Sequence, residues 1–221
     1  MKVTFYGTRG SIPVPDPDFV EFGGNTSCVL VTFSTGRVAI LDAGTGIRKL
    51  GNDLLAASHQ QYSEMIIGFS HTHWDHIQGF PFFKLANDPR RNITLAICGK
   101  GRGSKDLKSV FATQMQFDYF PVPLDKIGGN LTFWQPDVTK FVHPRGTEIV
   151  ASEHNHPGGA YGYRLTEGGK TLVTLVCHLI TRSSFPLWQR RPWGKSSGLP
   201  IRQQREIYLS VLGRGGTGQA F

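Results

Sequence analysis

His71-Thr72-His73-Trp74-Asp75-His76 is the stretch that decides how this chain reads, because it packs three imidazoles and a carboxylate into one hexapeptide. Protonated, the rings would repel one another; buried and neutral, each would need a hydrogen-bond partner. A divalent metal removes both costs, since neutral imidazole nitrogen and carboxylate oxygen are natural ligands. The competing reading, a polar loop with scattered surface histidines, leaves the crowding without a use. The apolar run Met65-Ile66-Ile67-Gly68-Phe69-Ser70 just before it predicts a buried strand. In extended chain His71 and His73, at i and i+2, point to the same side. Asp75-His76 predicts a turn toward Ile77-Gln78-Gly79-Phe80, where a helix can start. Neighbouring side chains diverge at such a turn, so one loop can serve two metal positions.

The same hexapeptide resembles the His-x-His-x-Asp-His signature of the metallo-β-lactamase superfamily of metal-dependent hydrolases. Met1 to Pro13 resembles the opening strand and loop of its phosphodiesterase-type branch, and so does Gly23-Gly24-Asn25-Thr26-Ser27-Cys28 leading into a strand. Leu41-Asp42-Ala43-Gly44-Thr45-Gly46 resembles the turn carrying an aspartate behind the metal ligands. Asn155-His156-Pro157 with Tyr161-Gly162-Tyr163-Arg164 resembles the segment of the next metal histidine in cyclic-phosphodiesterase-like and tRNA-maturing members. The likeness runs from Met1 to about Val173.

The resemblance implies a four-layer αββα sandwich with ligands on loops along one edge. It implies that His71, His73 and His156 hold a first metal, that Asp75 and His76 begin a second, and that Asp42 orients an imidazole from behind. His154 competes with His156 for the third position, and the context after His156 favours the latter. Three histidines with an open position make a catalytic centre, whose metal lowers the pKa of water to about 7. Asp75 is the expected catalytic carboxylate, binding the second ion and orienting the attacking water. Phosphodiesters suit such a clamp, because negative charge gathers on their oxygens in the transition state. The implied activity is metal-dependent phosphodiester hydrolysis, with zinc the expected ion, manganese or iron the alternatives, and a small phosphodiester or RNA the substrate.

The chain of 221 residues is long enough for one domain with a substantial core. It has no apolar run long enough for a membrane helix and no signal-peptide pattern, so a cytoplasmic protein is expected. Cys28, Cys98 and Cys177 are odd in number and far apart, which predicts reduced thiols. The net charge is +8, but Cys177–Phe221 carries seven Lys/Arg against one acid. The basic excess therefore belongs to the tail.

Strands are predicted at Val3–Tyr6, Ser27–Phe33, Arg37–Leu41, Met65–Phe69, Ile93–Cys98, Leu131–Trp134, Glu148–Ser152, Tyr161–Leu165 and Thr171–Val176. Ser34-Thr35-Gly36 and Glu167-Gly168-Gly169 read as tight turns. Ile47, Leu50, Leu54 and Leu55 have helical spacing over Ile47–Ala57, and a helix capped by Ser104 is expected through Leu107, Val110, Phe111 and Met115. Phe80-Pro81-Phe82-Phe83 and Phe117-Asp118-Tyr119-Phe120 read either as core or as an exposed wall, the latter beside the metal or at a homodimer contact.

The pattern breaks after about Val173. No aspartate follows Asp137, although the family pattern would place one bridging both metals within Thr171–His178, and the only histidine after His156 is His178. Cys177 or His178 is a candidate replacement ligand, against the plainer reading that neither coordinates anything. Ser183–Gly198 lacks periodicity, Gln203–Leu212 predicts one short helix, and Gly213–Gly218 reads as flexible. The division expected is a metal-binding domain over residues 1–176 and an atypical basic tail over 177–221. An altered reading frame or terminus near Leu172–Cys177 would explain the tail and leave the sandwich incomplete, with a damaged second metal site. The alternative function is an inactive metal-binding or nucleic-acid-binding protein of the same fold.

Overall fold

The computed structural model describes residues 1–57, 62–98, 106–137, 139–142, 147–176 and 207–212. Two sheets face each other. The first runs in the order β1-β2-β3-β4-β5-β6, from β1 (Lys2–Gly7), β2 (Cys28–Thr32), β3 (Val38–Leu41), β4 (Glu64–Phe69), β5 (Asn92–Ile97) and β6 (Asn130–Trp134). Its β1-β2-β3 side is an antiparallel meander, and β3, β4, β5 and β6 are parallel. The second runs β11-β10-β9-β8-β7, from β7 (Lys140–Val142), β8 (Glu148–His154), β9 (Ala160–Glu167), β10 (Lys170–Val176) and β11 (Ile207–Leu212), all antiparallel.

Period-two alternation splits the first sheet into two buried faces. Cys28, Leu30, Val38, Ile40, Met65, Ile67, Phe69, Ile93 and Leu95 pack with the helices. Val29, Val31, Ala39 and Leu41 turn the other way, onto Ala151, Tyr163, Leu165 and Leu172 of the second sheet. Helix α1 (Gly46–Ala57) buries Ile47, Leu50 and Leu54, the predicted stripe. Gly51 lets it lie close to its neighbours, for a Cβ there would sit 3.0 Å from Phe83 Cδ2. Helix α2 (Trp74–Ile77) is a single turn, and α3 (Leu107–Gln114) buries Leu107 and Phe111 in the same helical layer. Layers α, β and β follow in order, and among the described residues no helix covers the outer face of the second sheet.

Four expectations change. Helix α2 starts at Trp74, one turn before the predicted Ile77, because His73 stays extended (φ −65°, ψ 155°) and its carbonyl accepts from His76 N–H at 3.0 Å. Helix α3 is capped by Asp106, whose Oδ1 accepts from Ser109 N–H at 2.7 Å; Ser104 lies outside the described residues. The helix expected across Gln203–Leu212 does not form, since Ile207–Leu212 is a strand on β10, in register from Thr171↔Leu212 to Val176↔Ile207. Ile-Tyr-Leu-Ser-Val-Leu is rich in β-branched and aromatic residues, and a neighbouring free strand edge favours pairing over a lone helical turn. The aromatic clusters divide: Phe80 and Phe83 are fully buried in the core, whereas Phe82, Phe117 and Tyr119 are exposed. Cys177, His178, Ser183–Gly198 and Gly213–Gly218 lie outside the described residues. Among the described residues, no helix is long and apolar enough to cross a membrane.

Candidate metal centre

The hexapeptide leaves the C-terminal end of β4 and is held by backbone contacts to the β3–α1 turn. Ala43 N–H donates to His76 C=O at 2.7 Å, and Gly79 N–H to Ala43 C=O at 2.9 Å. The close approach needs two glycines. A Cβ on Gly79 would collide with the Gly44 carbonyl, and one on Gly44 with the Asp75 carbonyl.

Asp42 sits at the turn after β3 in the left-handed region, φ 61°, an uncommon place for a residue with a Cβ. Its carboxylate gathers donors from three places. Oδ1 accepts from Ser70 N–H at 2.8 Å, and Oδ2 from the Ser27 hydroxyl at 2.8 Å and from His76 Nδ1 at 2.8 Å. The Ser70 hydroxyl reaches both oxygens at 3.0 Å. Burial by itself would raise this carboxyl, but the His76 imidazole and Ser70 N–H outweigh it and hold it below the ordinary carboxylate range. A charge this buried, with 5% of its surface exposed, is tolerable because every donor points at it.

These bonds fix which ring nitrogens are left over. His71 Nδ1 faces the Ser70 hydroxyl at 3.1 Å, and that hydroxyl donates on to Asp42, so His71 Nδ1 carries the proton. Its Nε2 is then a lone pair, buried without a hydrogen-bond partner. Burial, reinforced by the neighbouring His76, pulls His71 down to about 3, so the ring is neutral at physiological pH. His76 donates through Nδ1 to Asp42 and turns Nε2 toward Asp75 Oδ2, 3.2 Å away. Two electron-rich atoms that close call for a proton or a cation between them.

His71, His73 and His156 each offer a ligand atom, all within 4.8 Å of one another. The separation between His156 Nε2 and His73 Nδ1 is 3.2 Å. Two nitrogens bound at about 2.0–2.1 Å to one tetrahedral ion stand about 3.3 Å apart. The orphaned His71 nitrogen and this spacing both fit a divalent metal.

His156 comes from the other sheet, and two hydrogen bonds bring it there. Tyr161 N–H donates to Ser70 C=O at 2.8 Å, and the buried Tyr163 hydroxyl donates to Phe69 C=O at 2.5 Å. Both acceptors precede His71, so β9 is fastened to the root of the ligand loop. Pro157–Gly159 then turn tightly, with Gly159 N–H on His156 C=O at 2.8 Å and Gly158 at φ 81°. His154 goes elsewhere. Its ring lies over Gly162, where a Cβ would meet His154 Nε2 at 2.6 Å.

Asp75 belongs to a different grouping. Its Oδ2 accepts from Ser11 N–H at 2.9 Å, beside the His76 contact. Burial opposes its ionisation, yet His76 and Ser11 hold it well below the ordinary carboxylate range. Gly10-Ser11-Ile12 is a γ-turn of the rare positive-φ kind: Ile12 N–H donates to Gly10 C=O at 2.8 Å, with Ser11 at φ 65°. That strain aims the Ser11 N–H at the carboxylate.

The structure therefore gathers His71, His73 and His156, sets Asp75 against His76, and puts Asp42 behind His76 and Ser70. Sequence reasoning missed Ser11, Ser27, Ser70 and Tyr163 as positioning groups. The signal for Ser11, Ser27 and Tyr163 was membership of stretches that carry the resemblance, and Ser70 had only its place at the end of the apolar run before His71. A cavity of about 620 Å³ opens between the sheets at the start of β3, β4 and β5, the end away from these ligands.

No protein-family model matches the chain. A ribonuclease Z of Staphylococcus carnosus is 25% identical over 177 residues, covering 77% of this chain and 52% of that protein. The chain thus spans about half the length of the curated relative it matches. The crystal structure of the human short-form tRNase Z superposes with a TM-score of 0.55 at 18% identity, covering 82% of this chain and 71% of that one. A metallo-β-lactamase fold protein from Bacillus subtilis superposes at 0.48 with 20% identity, over 76% and 58% of the two chains. Two facing sheets with a helical layer on one of them agree with the architecture that the hexapeptide suggested, and this chain has the metallo-β-lactamase fold.

Proposed function

We propose that this chain is a metal-dependent hydrolase of phosphodiester bonds, with RNA or a small phosphodiester as substrate. The observation that carries the reading is the convergence of His71, His73 and His156 from two sheets onto one point, with a buried imidazole nitrogen left for a ligand. The ribonuclease Z relative supports the phosphodiester choice.

His71, His73 and His156 would hold the ion, and Asp75 and His76 would contribute to a second position. Such an ion supplies Lewis-acid polarisation of a phosphoryl oxygen and acidifies water. The residues do the rest. The Ser70–Asp42 pair holds the His71 Nδ1 proton away from the site, so Nε2 remains a donor of electrons. Asp42 does the same for His76. Asp75, held ionised by His76 and Ser11, would accept a hydrogen bond from water and orient it for attack. Three imidazoles with a carboxylate suit zinc, and manganese and iron are the other ions to test. Buried, unbridged Cys28 and Cys98 support a reducing compartment, and we place the protein in the cytoplasm. Exposed Phe82, Phe117 and Tyr119 support a homodimer, which sedimentation velocity would read.

The test is metal content per chain together with turnover of an activated phosphodiester. Metal bound and turnover abolished by His73→Ala support the proposal; absence of bound metal after loading refutes it. Two features of the sequence favour a second reading. Beyond Asp137 the sequence offers no aspartate to complete a second metal position, and Cys177–Phe221 is strongly basic. An inactive metal protein that binds nucleic acid would hold metal without turnover, and its salt-sensitive RNA binding would vanish on deletion of residues 177–221.

A further inference from the structure

Trp74 lies between His73 and Asp75, one Cα step of about 3.8 Å from each. Its indole is 60% exposed and belongs to neither buried cluster. The backbone beneath it is fixed: Trp74 C=O accepts from Gln78 N–H at 2.7 Å, and the adjoining His73 C=O from His76 N–H at 3.0 Å. The chain thus anchors the backbone beneath a large flat apolar group in the ligand loop and leaves more than half of that group exposed. Single exposed apolar residues are common, but this one stands within the ligand hexapeptide, and a second stands next to Ser11. The strained turn that puts Ser11 N–H on Asp75 Oδ2 brings Ile12, 64% exposed, to the same carboxylate. Two exposed apolar residues are therefore tethered, by the chain and by the Ser11–Asp75 hydrogen bond, to a centre otherwise made of imidazoles and carboxylate.

A ligand matching that juxtaposition carries a phosphate for the centre and a flat, weakly polar group for the rim. A nucleotide has both. We propose that Trp74 is the stacking platform for the nucleobase next to the scissile phosphate, a specificity that rests on the hydrolase reading above and narrows its substrate class to nucleotides and RNA. Stacking of a base on an aromatic side chain is sequence-tolerant, because every base presents a π-face. The platform therefore selects for a base rather than for a particular one.

The test measures binding, so it stands apart from turnover. Affinities of adenosine 5′-monophosphate and ribose 5-phosphate, identical in phosphate and sugar, are compared by calorimetry on the full chain, wild type, Trp74→Ala and Trp74→Phe. Wild type is expected to prefer the nucleotide by about fivefold to about a hundredfold. Trp74→Ala should bring that ratio near one, and Trp74→Phe should keep most of it. Equal affinities in wild type, or a preference that survives Trp74→Ala, overturns the proposal. Turnover of bis(p-nitrophenyl) phosphate is measured in parallel. Turnover without a base preference removes the Trp74 platform alone. A base preference lost on Trp74→Ala without turnover upholds the platform and removes the hydrolase.

Discussion

Replacing Tyr163 by Phe deletes one oxygen atom from the contact between the sheets and keeps the ring in place. The hydroxyl donates to Phe69 C=O at 2.5 Å, in a position where Tyr163 is 5% exposed. Burial pushes this phenol well above its ordinary value, so it remains a donor at any working pH. The ring packs with Val29, Val31, Leu165 and Leu172 in the inter-sheet cluster, so Phe preserves the apolar contacts. What is lost is the hydrogen bond, and a buried carbonyl is left short of a partner. That combination costs about 2 kcal/mol. For a chain of this length each kcal/mol lowers the melting temperature by about 2–4 °C, so a fall of about 4–8 °C is expected. The second tie, Tyr161 N–H to Ser70 C=O, survives and keeps β9 close. His156 should therefore be loosened rather than lost, weakening metal affinity about tenfold, in the range seen for groups that act through ligands. Thermal melts with and without metal, plus chelator competition, read both effects. A variant melting within about 1 °C of wild type and holding metal equally well would refute the claim that this tie positions the centre.

Asp42→Asn sets an amide against donors that now share a carboxylate, and His76 Nδ1, which donates to Oδ2, loses its charged acceptor. Metal affinity is expected to fall about 10- to 100-fold, measured by competition titration. His156→Ala should abolish tight metal binding whereas His154→Ala, whose ring lies over Gly162, should leave metal content per chain unchanged by elemental analysis. Gly79→Ala drives a Cβ into the Gly44 carbonyl and should cost about 1–3 kcal/mol in denaturant unfolding, with metal affinity reduced as the loop shifts.

The hexapeptide and its strand were legible because the relevant signals are local. An apolar run bounded by ligands needs no knowledge of the rest of the chain, and β4 ends at Phe69 as the pattern predicts. His156 could be chosen over His154 from the residues that follow it. The positioning groups could not be read, because each works across a long separation: Ser11 on Asp75 spans 64 residues and Tyr163 on Phe69 spans 94. A serine before a histidine carries no mark of the aspartate that will hold it. The strand at Ile207–Leu212 was misjudged for a related reason. A short apolar segment fits either periodicity, and what decides is the unpaired edge of β10 beside it.

His73 and His156 stand 83 residues apart in the chain and 3.2 Å apart at their ring nitrogens. A cation gripping both would behave as a removable staple across that long loop. Closing a loop of such length by a covalent bridge restricts the unfolded chain by roughly 4.5 kcal/mol, whereas a tightly held ion stabilises the folded form it binds and is released on unfolding. Metal starvation would then be felt first as a softening of the whole sandwich, visible to a protease well before any substrate was offered.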